Sequence, residues 1–293
     1  RKTVVEFSRE NVRAKNVLLF HTTKSNRGLI QLIISLYALK KAGAARVTTL
    51  LGFMGYASAH ENYPASEHGP FAQAANNAKM ILEIIKEFSD ELVLVNAHFF
   101  KHPGEETFAY LKDPVQFTRA PKEKETRGLT GLKLRNLNAI DILVKYYLAG
   151  DFGVRNPVLV APDRGIYAFV REAAEKLGLQ SGYLTKKRVD SRQVRQSKEV
   201  FDEKGSEMDV KGRDVIVLDD IIAGGSTTVG AAKILQGLGA KRVFAGAVHG
   251  IFTNGMAAFE GALEYVVSTD SVVSKNSRVS LADLIVAFLG YKE

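Results

Sequence analysis

The fold of this chain is decided by one stretch, Asp214-Val-Ile-Val-Leu-Asp-Asp-Ile-Ile-Ala-Gly-Gly-Ser-Thr-Thr228. An apolar strand pattern runs into two adjacent acids, Asp219 and Asp220, and a loop of small residues then opens directly into a helical pattern. In open α/β sheets, ligands bind beyond the carboxyl ends of the strands. The stretch therefore predicts an α/β fold that carries both acids to a binding edge of its sheet.

The loop after the two acids has the composition of an anion site. It lacks bulky side chains, so backbone N–H groups can approach an anion closely, and the following helix adds the partial positive charge of its N-terminus. Its hydroxyl groups can bond phosphate oxygens or cap the helix. The residues predicted to hold a phosphate group are Ala223, Gly224, Gly225, Ser226, Thr227 and Thr228.

Two carboxylates beside a phosphate site predict a ligand with a second polar end, because carboxylates by themselves repel an anion. Asp219 and Asp220 can accept hydrogen bonds from the 2- and 3-hydroxyls of a ribose whose 5-phosphate lies in the loop. The plainer alternative is a Ser/Thr-capped helix that follows a strand with exposed acids. That alternative accounts for the cap but not for Asp-Asp combined with Gly-Gly at this spacing.

Outside this stretch, short apolar runs alternate with helical patterns along the chain. The runs are rich in Val, Leu and Ile with little alternation, which indicates strands covered on both faces. The predicted strands are residues 17–20, 47–51, 92–95, 158–161, 183–184, 215–218, 243–247 and 265–267, and the predicted helices are residues 29–42, 71–88, 138–147, 167–177 and 227–238. This order predicts an α/β fold of two doubly wound parallel-sheet domains with right-handed crossovers.

Several breaks in this rhythm suggest the domain organisation. Gly150, Gly153 and Pro157 punctuate the start of a new βαβ series, so we expect domains at residues 1–148 and 149–293. A C-terminal helix at residues 281–289 is expected to pack back on the first domain. Two polar segments, residues 99–136 and 187–212, are interpreted as surface excursions or functional lids, since loops of this length are uncommon in compact domains.

Composition excludes several classes of protein. The 293 residues include no cysteine, which removes disulfide scaffolds, thiol nucleophiles and cysteine-based zinc sites. No apolar run reaches the ~18 residues that span a bilayer, and residues 1–15 contain no signal-peptide core, so we expect a cytoplasmic protein without a membrane partner. The Walker A, G-x-G-x-x-G and H-E-x-x-H patterns are absent, so neither a P-loop kinase nor an evident NAD enzyme is predicted.

The net charge of +8 suits phosphorylated small molecules, nucleic acids or anionic surfaces, and it equally suits an ordinary solvated surface. Tryptophan is absent, and basic residues do not interleave with aromatic ones as in a base-stacking platform. We therefore expect no nucleic-acid partner.

The stretch at residues 215–228 resembles the phosphoribosyl-diphosphate (PRPP) binding motif of type I phosphoribosyltransferases and of ribose-phosphate diphosphokinases, the PRPP synthetases. The rest of the chain resembles the synthetases over nearly its whole length. The similar segments are Val158-Leu-Val-Ala-Pro-Asp-Arg-Gly165, Lys186-Lys-Arg188 where the family's catalytic flexible loop begins, Asn11-Val-Arg-Ala-Lys-Asn-Val17, Gly55-Tyr-Ala57, and the strand from Ala240 to Phe252.

The resemblance implies transfer of the β,γ-diphosphoryl group of MgATP to the anomeric hydroxyl of ribose 5-phosphate, giving PRPP and AMP. It implies that Lys186 and Arg188 are catalytic and close over the transferring group, and that His98 and Asp163 engage Mg²⁺ and the ATP phosphates. It also implies a homo-oligomer, a dimer or larger.

The chain departs from the family pattern at two nucleotide segments. The family's Tyr-Ala-Arg-Gln-Asp is Tyr56-Ala-Ser-Ala-His60 here, and its Asp-Leu-His is Asn96-Ala-His98. The resemblance therefore implies an enzyme with a divergent ATP site. Two alternatives stay open: a non-catalytic or regulatory relative that binds phosphorylated ribose, and a phosphoribosyltransferase that uses the same pocket.

Overall fold

The computed structural model describes residues 9–56, 77–100, 102–103, 106–110, 116–119, 131–188 and 194–290. The chain divides into two compact units, Arg1–Phe100 with Gly104–Leu137, and Lys101–Pro103 with Asn138–Glu293. The division after residue 137 lies ahead of the expected boundary at residues 148/149. Whether the C-terminal helix packs on the first unit stays a prediction.

The first unit is built on a six-stranded sheet in the order β1-β2-β3-β6-β4-β5. Its strands are β1 (Asn16–His21), β2 (Arg46–Leu51), β3 (Glu91–Val95), β4 (Glu106–Tyr110), β5 (Gln116–Arg119) and β6 (Gly131–Leu137). Its helices are α1 (Arg9–Val12), α2 (Asn26–Lys41) and α3 (Asn77–Lys86). The pairings β1-β2-β3-β6 are parallel, whereas β4 runs antiparallel to both β6 and β5.

The segment at residues 99–136, interpreted as an excursion, contributes strands to this sheet. In β6, Leu132, Leu134 and Asn136 are buried while Lys133 and Arg135 are partly exposed. This alternation is typical of a strand with one solvated face. Its charged residues interrupt the apolar ones, so a search for continuous apolar runs does not detect the strand. The expectation of a polar surface excursion is corrected to an extension of the sheet.

The second unit is built on a seven-stranded sheet in the order β13-β12-β11-β10-β7-β8-β9. Its strands are β7 (Val158–Ala161), β8 (Gln180–Arg188), β9 (Val194–Phe201), β10 (Asp214–Ile222), β11 (Arg242–Gly250), β12 (Val266–Thr269) and β13 (Ser277–Val279). Its helices are α4 (Ile140–Ala149), α5 (Tyr167–Leu177), α6 (Ser226–Gly237) and α7 (Ala282–Phe288), with a short 3₁₀ helix at Met256–Phe259. All pairings are parallel except β8 with β9.

Helix α4 belongs to the second unit because its contacts are made there. The buried Tyr147 hydroxyl donates to the carbonyl of Ala245 on β11 at 2.6 Å. Just before the helix, the amide of Asn138 donates to the carbonyl of Phe169 on α5 at 3.1 Å. These contacts explain why the units divide before α4, although Gly150, Gly153 and Pro157, on which the expected boundary was based, follow this helix.

The strand and helix predictions are otherwise confirmed. Each predicted strand lies within or largely within β1, β2, β3, β7, β8, β10, β11 or β12, and the helix at residues 167–177 is α5. The helix predicted at residues 71–88 is observed over 77–86, and residues 71–76 lie outside the described chain. The segment at residues 187–212 contains the polar strand β9, which the sequence pattern did not indicate. No helix in the described ranges has the length and hydropathy needed to cross a membrane.

Candidate phosphate and diol site

Three carboxyl groups meet at the carboxyl edge of the second sheet. Asp219 and Asp220 lie near the end of β10, and Asp163 follows the end of β7. The two strands are parallel neighbours, with Val217 level with Val160. Asp163 is close enough to the pair for its charge to act on Asp219. The topology therefore brings the predicted acids to one edge, as expected of parallel strands.

The acids are held by backbone groups as well as by one another. The Asp219 Oδ1 atom accepts the N–H of Asp220 at 2.9 Å, and the Asp220 Oδ1 atom accepts the N–H of Ile221 at 2.8 Å. Across the edge, Asp163 Oδ1 accepts the N–H of Gly165 at 2.8 Å. These backbone bonds orient the three carboxyl groups at the edge of the sheet.

Burial is the main cause that raises the pKa of Asp219 well above its ordinary value, and the adjacent Asp220 carboxylate and the more distant Asp163 add to it. A hydrogen bond between the Asp219 and Asp220 side chains also raises this pKa. Carboxyl groups this close cannot both ionise freely, so the pair titrates as a unit and retains a proton above the usual carboxyl range. Such a pair favours a ligand that brings hydroxyl donors or positive charge.

The pKa shift predicts that Asp219→Asn stabilises the unliganded protein at neutral pH. A carboxyl group whose pKa is higher folded than unfolded stabilises the fold most below the unfolded pKa of about 3.9. This stability is lost as the pH rises towards and through the folded pKa. In chelator without substrate, we expect the unfolding midpoint of Asp219→Asn to exceed that of the wild type at pH 8, with the gain vanishing near pH 4. The exposed Asp151→Asn is the control, and a less stable Asp219→Asn at pH 8 contradicts the prediction.

The small-residue loop joins β10 to α6 through a left-handed residue. Gly225, the N-cap of α6, has φ +88°, and a Cβ atom there would lie 2.5 Å from Phe259 Cζ. No side chain caps the helix. Among the described residues, no acceptor is found for the N–H groups of Gly224, Gly225, Ser226 and Thr227. The loop therefore presents uncapped N–H groups at a helix N-terminus, which is an anion-binding arrangement.

The residues behind the loop are ones that sequence reasoning missed. Phe259 occupies the space beside Gly225, and Asn254 donates its side-chain amide to the Gly224 carbonyl at 3.0 Å. Both follow β11, some thirty residues after the loop. Their spacing from the glycines carries no periodic signal, so only the structure connects them.

In the first unit, the predicted nucleotide segments follow neighbouring parallel strands. Gly55 N–H donates to the buried Thr23 hydroxyl at 2.8 Å, and the Tyr56 hydroxyl donates to Asn26 at the start of α2. Residues 57–60, which contain the departures Ser58, Ala59 and His60, lie outside the described chain. The loops after β1 and β2 are thus joined at the carboxyl edge of the first sheet.

His98 follows β3 and is exposed. Its segment is anchored by two bonds: the N–H of Ala97 donates to Asn136 Oδ1 at 3.0 Å, and the N–H of Asn96 donates to the Leu137 carbonyl at 2.9 Å. His98 belongs to the first unit and Asp163 to the second. Their joint role at a metal therefore stays a prediction, and in the described ranges no group of three His, Asp or Glu residues is arranged to hold a metal ion.

The predicted catalytic cations lie near the end of β8. Along the backbone, Lys186 pairs with Gln196 and Arg188 with Val194 of β9. Lys187, between them, pairs with Arg195. Successive strand residues belong to opposite faces, so Lys186 and Arg188 share one face and Lys187 belongs to the other. Residues 189–193 lie outside the described chain.

Comparisons with known proteins agree with both units. Residues 2–86 match the sequence model of the N-terminal domain of ribose phosphate pyrophosphokinase, and residues 133–280 match that of the phosphoribosyl transferase domain. The crystal structure of phosphoribosylpyrophosphate synthetase from Mycobacterium smegmatis shares the fold, with a TM-score of 0.64, 22% identity, and coverage of 96% of this chain and 85% of that chain.

Curated relatives match over most of the chain. Ribose-phosphate pyrophosphokinase 2 of Archaeoglobus fulgidus is 30% identical over 276 residues, which is 94% of this chain and 84% of the relative. The ribose-phosphate pyrophosphokinase of Methanobrevibacter smithii is 30% identical over 270 residues, 89% of this chain and 78% of the relative. With both domain models and full-length relatives in agreement, the chain belongs to the ribose-phosphate pyrophosphokinase family of enzymes.

Proposed function

We propose that this protein transfers the β,γ-diphosphoryl group of MgATP to the anomeric hydroxyl of ribose 5-phosphate, giving PRPP and AMP. The anomeric oxygen forms a bond to the β-phosphorus and releases its proton to solvent. The bond from that phosphorus to the α,β-bridging oxygen breaks, and AMP leaves with that oxygen. The observation that carries the proposal is the juxtaposition of Asp219 and Asp220 with a loop whose N–H groups have no acceptor among the described residues.

The acid pair and the loop suit opposite ends of one small sugar phosphate. Backbone N–H groups and the α6 N-terminus favour the 5-phosphate dianion, and the two carboxyl groups accept from the 2- and 3-hydroxyls. A diol supplies donors where the protein supplies acceptors, so its binding offsets the repulsion within the pair. The sugar is then held at both ends, and its anomeric hydroxyl takes a defined position for transfer.

The donor set also suits Mg²⁺. This ion is usually held by one or two carboxylates and completes its coordination with substrate phosphates and water, so a site without three protein ligands fits it. Asp163 is the residue of the second unit that we assign to the MgATP phosphates. When bound, Mg²⁺ neutralises charge on the polyphosphate. Lys186 and Arg188 are assigned to the transferring diphosphoryl group, and His98 of the first unit is assigned to Mg²⁺ and the ATP phosphates.

The test is a product assay with MgATP and ribose 5-phosphate. We expect AMP and PRPP in equal amounts from the wild type. Tight ribose 5-phosphate binding without AMP would instead favour the non-catalytic relative. PRPP consumption in the presence of a nucleobase, without AMP formation from ATP, would favour a phosphoribosyltransferase.

The diol assignment is tested by Asp220→Ala with two sugars. The wild type should bind ribose 5-phosphate at least about tenfold more tightly than 2-deoxyribose 5-phosphate, because a site built for a hydroxyl rejects a ligand that lacks it. Asp220→Ala should weaken ribose 5-phosphate binding and reduce this discrimination, while Asp151→Ala keeps both. Calorimetry measures the six affinities, those of the three proteins for each of the two sugars. Normal binding and discrimination by Asp220→Ala would reject the assignment.

A further inference from the structure

The loop between β10 and α6 lies against the segment that follows β11. The carbonyl of Ala223 accepts the backbone N–H of Thr253 at 2.9 Å. The next carbonyl, that of Gly224, accepts the side-chain Nδ2 of Asn254 at 3.0 Å. Two consecutive loop carbonyls are therefore turned toward residues 253–254.

This arrangement determines where the loop N–H groups point. In a trans peptide the carbonyl oxygen and the N–H of the following residue lie on opposite sides of the chain. Holding the Ala223 and Gly224 carbonyls toward residues 253–254 turns the N–H groups of Gly224 and Gly225 to the other side. Successive N–H groups that face the same way form a concave site for an anion.

The two peptides are held by different means. Thr253 holds the first peptide through its backbone, so any residue other than proline at position 253 can do so. Asn254 holds the second peptide through its side chain alone. The Gly224–Gly225 peptide lies between two glycines, which have no Cβ and reach many conformations, so without this bond it can reorient at little cost.

We propose that Asn254 is a positioning residue that keeps the Gly225 N–H turned toward the phosphate group of the substrate. The proposal rests on the proposed function, in which that phosphate is the 5-phosphate of ribose 5-phosphate. Asn254 is exposed, so its truncation removes the bond to Gly224 without opening the core. A misoriented peptide places a carbonyl dipole where the anion binds, so phosphate affinity should fall.

The test compares Asn254→Ala with Thr253→Ala, a neighbouring exposed position whose contribution comes from its backbone. Calorimetry with ribose 5-phosphate and with inorganic phosphate, together with steady-state kinetics, provides the readouts. For Asn254→Ala we expect both affinities to weaken about tenfold or more, because the reoriented Gly225 N–H no longer donates a hydrogen bond to the charged phosphate group. The KM for ribose 5-phosphate should rise in parallel, while kcat changes less than about threefold and the KM for ATP is kept. Thr253→Ala should resemble the wild type.

The outcomes separate this inference from the proposed function. Wild-type protein that binds inorganic phosphate but not ribose 5-phosphate contradicts the proposed function. In that case, the inorganic phosphate affinities of Asn254→Ala and wild type decide the role of Asn254. Wild-type binding to neither probe overturns both. Asn254→Ala affinities equal to wild type overturn the inference, and so does an equal rise in the KM for ATP accompanied by a large fall in the unfolding midpoint, which would indicate a merely structural role.

Discussion

Replacing Gly225 by alanine should raise the KM for ribose 5-phosphate by about a hundredfold or more. The residue has φ +88°, a region in which an L-residue with a Cβ costs about 1–2 kcal/mol. The added Cβ would lie 2.5 Å from Phe259 Cζ, and the Phe259 side chain is 3% exposed and cannot move into solvent freely. The loop must therefore shift, and its N–H groups leave the positions from which several of them bond the phosphate at once.

Gly237→Ala is the matched control for this substitution. Gly237 closes the same helix, α6, and a Cβ at that position meets no atom within 4 Å. Alanine is favoured over glycine in a helix by about 1 kcal/mol, so this variant should keep its kinetics and unfold at an equal or higher temperature. Steady-state kinetics and thermal unfolding of both variants provide the measurement. A Gly225→Ala enzyme with the wild-type KM would show that the loop does not hold the phosphate.

The strand, loop and helix at residues 214–237 could be predicted because each signal is local. A run of buried apolar residues begins β10, two acids lie near its end, and small residues allow the left-handed turn into α6. The strands β7 and β11 could be predicted for the same reason. They are covered on both faces, so their sequences are nearly unbroken apolar runs. The family resemblance drew on these segments.

Strands with one solvated face could not be predicted in the same way. In β6 the charged Lys133 and Arg135 alternate with buried residues, and β9 is polar over most of its length. Such strands are stabilised by a neighbour far away in the chain, which a search for local periodicity does not identify. The observed unit division lies ahead of the expected boundary for a similar reason, because the contacts of Tyr147 with β11 are made across about a hundred residues of sequence.

The candidate site shows the same division between local and non-local information. The Asp219–Asp220 pair is adjacent in sequence and was predicted. The approach of Asp163 depends on β7 lying next to β10, and the places of Phe259 and Asn254 depend on how the chain returns after β11. The sequence pattern specifies the chemistry of the loop, whereas its orientation is determined by residues brought to it by topology.

Replacing Lys186 by alanine should lower kcat by about a hundredfold or more and change ribose 5-phosphate affinity only slightly. Phosphoryl-type transfer depends mainly on positioning and on neutralising charge that develops in the transition state. Removing one positioned donor of this kind typically lowers kcat by about 10²–10³-fold. The phosphate of the sugar, by contrast, is assigned to the loop and the start of α6, so sugar binding does not require Lys186.

Lys187→Ala provides a sharp control, because it removes the same charge from the next residue of the same strand. Lys186 and Arg188 occupy one face of the β8–β9 ribbon and Lys187 the other, by the regular pairing of residues 186–188 with 194–196. If a specific cation stabilises the transition state, kcat should fall in Lys186→Ala and stay within about threefold of wild type in Lys187→Ala. Equal losses of kcat in the two variants would mean that the strand contributes only its total positive charge, not a specific cation, and would contradict the catalytic role of Lys186. A loss confined to ribose 5-phosphate affinity would place Lys186 in substrate binding and contradict its catalytic role.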